Sequence, residues 1–155
     1  MINPSRRLIL AIIGFGMLAQ GIDTATADKP ATGSRVALKG YDPVSYFKEG
    51  QPQKGSAEFS ASFEDAIYWF KNAENHALFL ADPAQYAPQF GGWCTISLSR
   101  GEIVEANPEA WVINDERLYV FTKKKVDLAL FEELRANNFE MATRNWRELR
   151  KNPQP

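Results

Sequence analysis

Cysteine and histidine are almost missing from this chain of 155 residues. Cys94 is the sole cysteine and His76 the sole histidine. A single cysteine excludes an intramolecular disulfide framework. One cysteine and one histidine also exclude a closed tetrahedral zinc site built by one chain, which needs four such ligands. Charge of either sign is not in excess: 18 basic residues stand against 19 acidic ones. That balance argues against nucleic-acid binding, which calls for a basic stripe. Long apolar runs are lacking too. The longest, Leu8–Ala19, has 12 residues, short of the roughly 20 that span a bilayer. There is no Gly-x-Ser-x-Gly, no Walker loop and no Gly-x-Gly-x-x-Gly, so the common hydrolase, nucleotide and dinucleotide templates fail.

What is present begins with an export signal. Arg6 and Arg7 form a positive start, Leu8–Ala19 an apolar middle, and Ala25-Thr26-Ala27 a small-x-small cleavage site. Residues 1–27 are therefore expected to be a signal peptide, cleaved before Asp28. The protein should be periplasmic or otherwise exported, with no stable membrane span after cleavage. The paired arginines fit either a general secretory signal or a twin-arginine one. Setting aside Arg6, Arg7 and Asp23 leaves 16 basic and 18 acidic residues. Residues 28–35 read as a flexible leader, 36–150 as one domain, and 151–155 as a polar tail.

Inside the domain the pattern is mixed. Val36-Ala37-Leu38 is a short strand candidate, and Pro43 can open a helical turn through Phe47. Residues 59–63 alternate apolar and polar, and 66–70 are more fully apolar, so the two predict a hairpin turning at Glu64-Asp65. Asn72 is placed to cap a helix over 73–81, and Pro83 to start another turn through Tyr86. Residues 93–98 read as a strand after the Gly91-Gly92 loop. Residues 111–113 and 118–121 form a second predicted hairpin. Residues 126–137 and 139–149 read as two amphipathic helices, the second carrying Met141, Ala142 and Trp146. Without regular strand–helix alternation, the expected class is α+β: a single small domain of antiparallel β-hairpins with helices packed on one side.

Several motifs together resemble the YHS-domain family, and its exported bacterial branch most of all. They are Gly40-Tyr41-Asp42-Pro43-Val44, then Phe70…Phe79 and Asp82-Pro83, then Tyr86-Ala87-Pro88-Gln89-Phe90-Gly91-Gly92-Trp93-Cys94, then Pro108…Trp111 and Leu118-Tyr119. The resemblance covers nearly all of the chain after residue 35. It implies a YHS-like fold and an association with heavy metals, chiefly copper. In some members of that branch the cysteine position is described as selenocysteine. The metal-binding members carry thiolates at three positions that are Ser45, Lys71 and Asn75 here. Lys is a poor metal ligand and Asn offers only a hard amide oxygen, so that thiolate site is absent.

Cys94 is then the candidate functional centre, with Gly91, Gly92, Trp93 and Tyr86 expected around it. Three readings compete. The first is an exported binding module handling a soft ion such as copper, with Cys94, His76 and Met141 as the only sulfur and imidazole ligands after residue 27. The second is a redox protein using Cys94 with an external small thiol, since no resolving cysteine exists. The third is an interaction domain with no chemistry, in which Cys94 is a small buried hydrophobe. No catalytic set is visible. The adjacent acids Glu64-Asp65 and Glu132-Glu133 read as solvated turns and helix faces, and Lys123-Lys124-Lys125 as an exposed connection. The partners expected are a metal ion or a small thiol, and the sequence does not identify a protein partner.

Overall fold

Local chemistry at the helix starts sets much of the chain's path. The computed structural model describes residues 35–123 and 128–152. The expected signal peptide, nearly all of the leader, Lys124–Asp127 and the last three residues lie outside the described residues. Asp42 caps α1 (Pro43–Lys48), its Oδ1 accepting from the Val44 N–H at 2.8 Å, with proline at the first position. Asn72 caps α2 (Ala73–Ala81) by accepting from the Asn75 N–H at 2.9 Å. Asp82 caps α3 (Pro83–Tyr86) in the same way. Each cap satisfies a backbone donor that the helix itself cannot.

Among the described residues three small sheets accompany these helices. β1 (Arg35–Val36) runs parallel to β5 (Ala66–Phe70), which pairs antiparallel with β4 (Ser56–Phe63). β2 (Tyr41–Asp42) pairs antiparallel with β3 (Gln53–Lys54). β6 (Asn107–Asn114) and β7 (Arg117–Phe121) form the second long hairpin, with Trp111 opposite Val120 and Asn114 opposite Arg117. Its pairing is irregular between Asn107 and Trp111, where Pro108 has no N–H to give the ladder. The protein is thus a small α+β domain built on antiparallel hairpins, with one short parallel pair.

The alternation along β7 divides the interior in two. Leu118 and Val120 join a core of Val44, Tyr46, Tyr68, Phe70 and Phe79, to which α1 and α2 contribute. Tyr119 and Phe121 join a smaller one with Cys94, Ala110 and Phe131, on the side of α4 (Thr95–Ser99) and α5 (Leu128–Lys151). Helices therefore cover both faces of the β6–β7 hairpin, not the one side expected. Among the described residues no helix is long and apolar enough to cross a membrane.

Three further expectations are corrected. Val36–Leu38 is not one strand: β1 ends at Val36 and Leu38 enters a left-handed turn at φ 52°. Residues 93–98 are not a strand. After a single bridge at Trp93, the chain forms α4, which buries Thr95, Leu98 and Ser99 at helical spacing. The two C-terminal helices are one, α5, and Val126 lies outside the described residues. Tertiary bonds hold α5 against α4: Ser99 Oγ to Asn138 Oδ1 at 3.1 Å, and Asn145 Nδ2 to the Leu98 carbonyl at 2.8 Å. Within α5 Ala142 is buried, but Met141 is 39% exposed.

Candidate functional site

Cys94 sits where the Gln89–Gly92 turn delivers the chain into α4. It precedes the first residue of that helix, and its carbonyl accepts from the Leu98 N–H at 3.0 Å. Its own N–H donates to the Val104 carbonyl at 2.9 Å, so the 101–105 connection runs alongside. The residue is 1% exposed and packs in the core with Ala110, Tyr119, Phe121 and Phe131. The sulfur lies 3.8 Å from Thr122 Oγ1. Burial pushes the thiol pKa up, but hydrogen bonds from Ser97 and Thr122 to the thiolate outweigh it and leave the pKa below the ordinary value. Cys94 is therefore a thiol whose pKa its neighbours lower and whose sulfur is closed to solvent.

The expected neighbours are partly here. Gly91, Gly92 and Trp93 adjoin Cys94 in the chain, with Gly91 at φ +61° and Gly92 at φ +81°. Arg35 holds this turn from β1. Its guanidinium lies 3.9 Å from the Trp93 ring and donates to the Gly91 carbonyl, a cation–π contact joined to a charge-assisted hydrogen bond. On its other side, a Cβ at Gly91 would stand 3.0 Å from Trp146 Cη2. Left-handed backbone and ring contact both demand glycine there. Gly91→Ala is expected to cost about 1–3 kcal/mol, read as a lower urea midpoint with altered tryptophan fluorescence. An unchanged midpoint would contradict the contact. Tyr86 is elsewhere: it packs edge-on against Phe47, beside the larger core.

The three soft ligands do not meet. His76 lies on α2 with its ring against Phe70, 5.3 Å between centroids. Met141 is on the open side of α5, its sulfur 2.8 Å from an Arg144 nitrogen. Cys94 is in the smaller core. Among the described residues no group of three His, Cys, Asp or Glu side chains could hold a metal ion.

A second polar centre escaped the sequence reading. Asp42 is fully buried and its carboxylate gathers donors from three segments. Oδ1 accepts from Val44 N–H; Oδ2 accepts from Lys71 N–H at 3.0 Å and Asn75 Nδ2 at 2.7 Å. Ser45 Oγ donates to the Asp42 carbonyl at 2.7 Å and accepts from Gln53 N–H at 3.0 Å. Ser45, Lys71 and Asn75 thus converge on one residue. The Lys71 ammonium leaves this knot and pairs with Glu49. The Asp-Pro sequence signals the cap, but nothing local signals donors 29 and 33 residues away.

A cleft of about 230 Å³ opens on another side, lined by Phe63, Glu64, Gln89, Phe90, Arg117 and Trp146, with Pro88 and two alanines behind them. Glu64 is held by Arg150 at 2.8 Å. Arg117 reaches Gln89 Oε1 at 3.4 Å. No protein-family model, curated protein or solved structure matches this chain.

Proposed function

We propose that this domain is an exported, YHS-like binding module that holds a ligand rather than turning one over. The observation that carries the reading is the convergence at Asp42. Ser45, Lys71 and Asn75 are the positions where the family resemblance implies thiolates, and they meet at Asp42, Ser45 and Asn75 through their side chains and Lys71 through its backbone N–H just after β5. A scaffold of that family needs them together to grip a metal. Here the same point is filled by a carboxylate and its hydrogen bonds, with no sulfur to offer a soft ion.

Metal handling then narrows to Cys94 alone. Once a local opening exposes it, its thiolate, favoured by Ser97 and Thr122, would give a Cu(I)-class ion one ligand, and the others would come from a small thiol or a partner. A Cu(I) titration against a chromogenic chelator tests this. Wild type is expected to take up no more than one ion per chain and Cys94→Ser none. His76→Ala and Met141→Leu should bind as wild type does, because neither residue lies in the Cys94 core. Uptake of several ions, or uptake that survives Cys94→Ser, would refute a Cys94 site. No uptake by wild type would remove copper from the reading and leave a module for a different ligand. The lowered thiol pKa would serve the redox alternative only through a local opening, since the sulfur is buried. Steady thiol-dependent peroxide reduction, lost in Cys94→Ser, would replace the module with that enzyme.

A further inference from the structure

The cleft beside Trp146 deepens the binding-module reading, and nothing in its construction depends on Cys94. Three turns contribute to it: Glu64 (φ 52°) between β4 and β5 and Phe90 (φ 58°) in the 89–92 turn line it, and Arg117 follows the Asp115-Glu116 turn (φ 48° and 58°) between β6 and β7. At the two hairpins such backbone is what a two-residue turn requires, and at Phe90 the surrounding packing enforces it. Here each turn brings a lining side chain or its neighbour to the same cleft. The Gln85 side-chain amide donates to the Glu116 carbonyl at 3.2 Å, tying the β6–β7 turn to α3.

The lining divides by chemistry. Phe63, Phe90 and Trp146 supply apolar walls, while Gln89, Arg117 and Glu64 supply polar groups. Apolar walls joined by a few convergent polar groups are how small-molecule sites are oriented, and here the polar share of the lining is large. The charges are not balanced within the cleft. Glu64 is neutralised by Arg150, and Asp115, close to Arg117 in the chain, by Arg135 at 3.2 Å. Among the described residues Arg117 has the Gln89 amide as its hydrogen-bond partner and joins no ion pair. Glu116 is the acidic residue beside it and is exposed. The wall therefore offers a guanidinium with donors to spare, next to aromatic faces. We propose that this cleft binds a small organic carboxylate with an apolar body of about one ring, the carboxylate on Arg117 and Gln89 and the ring against Trp146 and Phe90. Guanidinium–carboxylate pairing is the strong, directional member of the hydrogen-bond range, and the volume admits no large ligand.

The test uses hydrocinnamate as probe and its neutral alcohol as control. Nitrogen-edited NMR of the four indole N–H groups follows binding, with the Trp146 signal assigned through Trp146→Phe. Hydrocinnamate is expected to move the Trp146 signal saturably and to bind roughly fivefold more tightly than the alcohol, about 1 kcal/mol. Arg117→Gln should abolish that preference. Arg117→Lys should retain part of it, and an unchanged spectrum without ligand would show both variants folded. No saturable change in Trp146 up to millimolar probe, equal binding of acid and alcohol, or a preference that survives Arg117→Gln would each overturn the proposal. Because the readout is Trp146, it is separable from the broader reading. A protein that ignores hydrocinnamate and shows no turnover loses this ligand class only. One that ignores it and reduces peroxide through Cys94 loses the module as well.

Discussion

Asp42→Ala is expected to destabilise the protein by about 3–5 kcal/mol, as large a loss as any single polar change here should give. The carboxylate is fully buried and serves three N–H donors from two elements and the strand end between them. Truncation leaves the Val44 and Lys71 backbone N–H groups and one Asn75 amide hydrogen without an acceptor. Each buried donor so stranded costs about 1–3 kcal/mol, reduced where water can enter. The cap of α1 goes as well, which costs about 1 kcal/mol by itself. Asp42→Asn is the sharper variant. Its shape is conserved, but one oxygen becomes an NH₂ that must face a donor, so an intermediate loss of about 1–3 kcal/mol is expected. Lys71→Met should be nearly neutral, since Lys71 meets Asp42 through its backbone and its ammonium forms a surface pair with Glu49. Urea unfolding of the four proteins gives the order. A loss under about 1 kcal/mol for Asp42→Ala would mean that the knot holds nothing together.

That knot marks the boundary of what the sequence could reveal. α2 was readable to its ends because its signals are local: an asparagine cap three residues before its donor, and Asp82-Pro83 to stop it. The two hairpins were readable because alternation and polar turns are also local, although Asn114 and Arg117, expected in the second turn, pair with each other inside the strands. Residues 93–98 were not, because Cys94, Ile96 and Leu98 alternate as a strand would. What decides for α4 is distant. Thr95 Oγ1 donates to the Val120 carbonyl at 3.3 Å, and Asn145 on α5 holds the carbonyls of Leu98 and Ser99. The same asymmetry runs through the sites. Cys94 could be singled out by its solitude, and the glycines by their adjacency. Thr122, which faces its sulfur, and Arg35, which grips its turn from 56 residues away, carry no local mark. Arg117 and Trp146 belong to motifs of strand and helix, and their meeting in one cleft is a product of tertiary packing.

Cys94 should react slowly with iodoacetamide in the folded protein, at least about a hundredfold more slowly than in denaturant. The residue is 1% exposed and its backbone is tied to the 101–105 connection and to α4, so attack requires a local opening. The pH dependence of that slow reaction reports the closed state. The rate follows the opened thiolate, whose population rises tenfold per pH unit while the closed form is a thiol. Once the closed form is itself a thiolate, opening gains nothing more from pH and the rate levels off. The plateau should therefore begin below the pH at which the same thiol ionises in the unfolded chain, because hydrogen bonds from Ser97 and Thr122 outweigh burial in the folded state. Stability should follow with a definite sign. A folded pKa below the unfolded one adds stability that is fully present above the unfolded value and is lost as pH falls through the folded value. The unfolding free energy of wild type, relative to Cys94→Ser, should thus increase as pH rises through that window. Thr122→Val should shift the plateau upward by removing one donor to the sulfur. Fast native alkylation would mean an open thiol suited to exchange with small thiols. A plateau at or above the pH at which the unfolded thiol ionises would mean that burial wins, making Cys94 an ordinary core residue and withdrawing the ligand on which the copper reading depends.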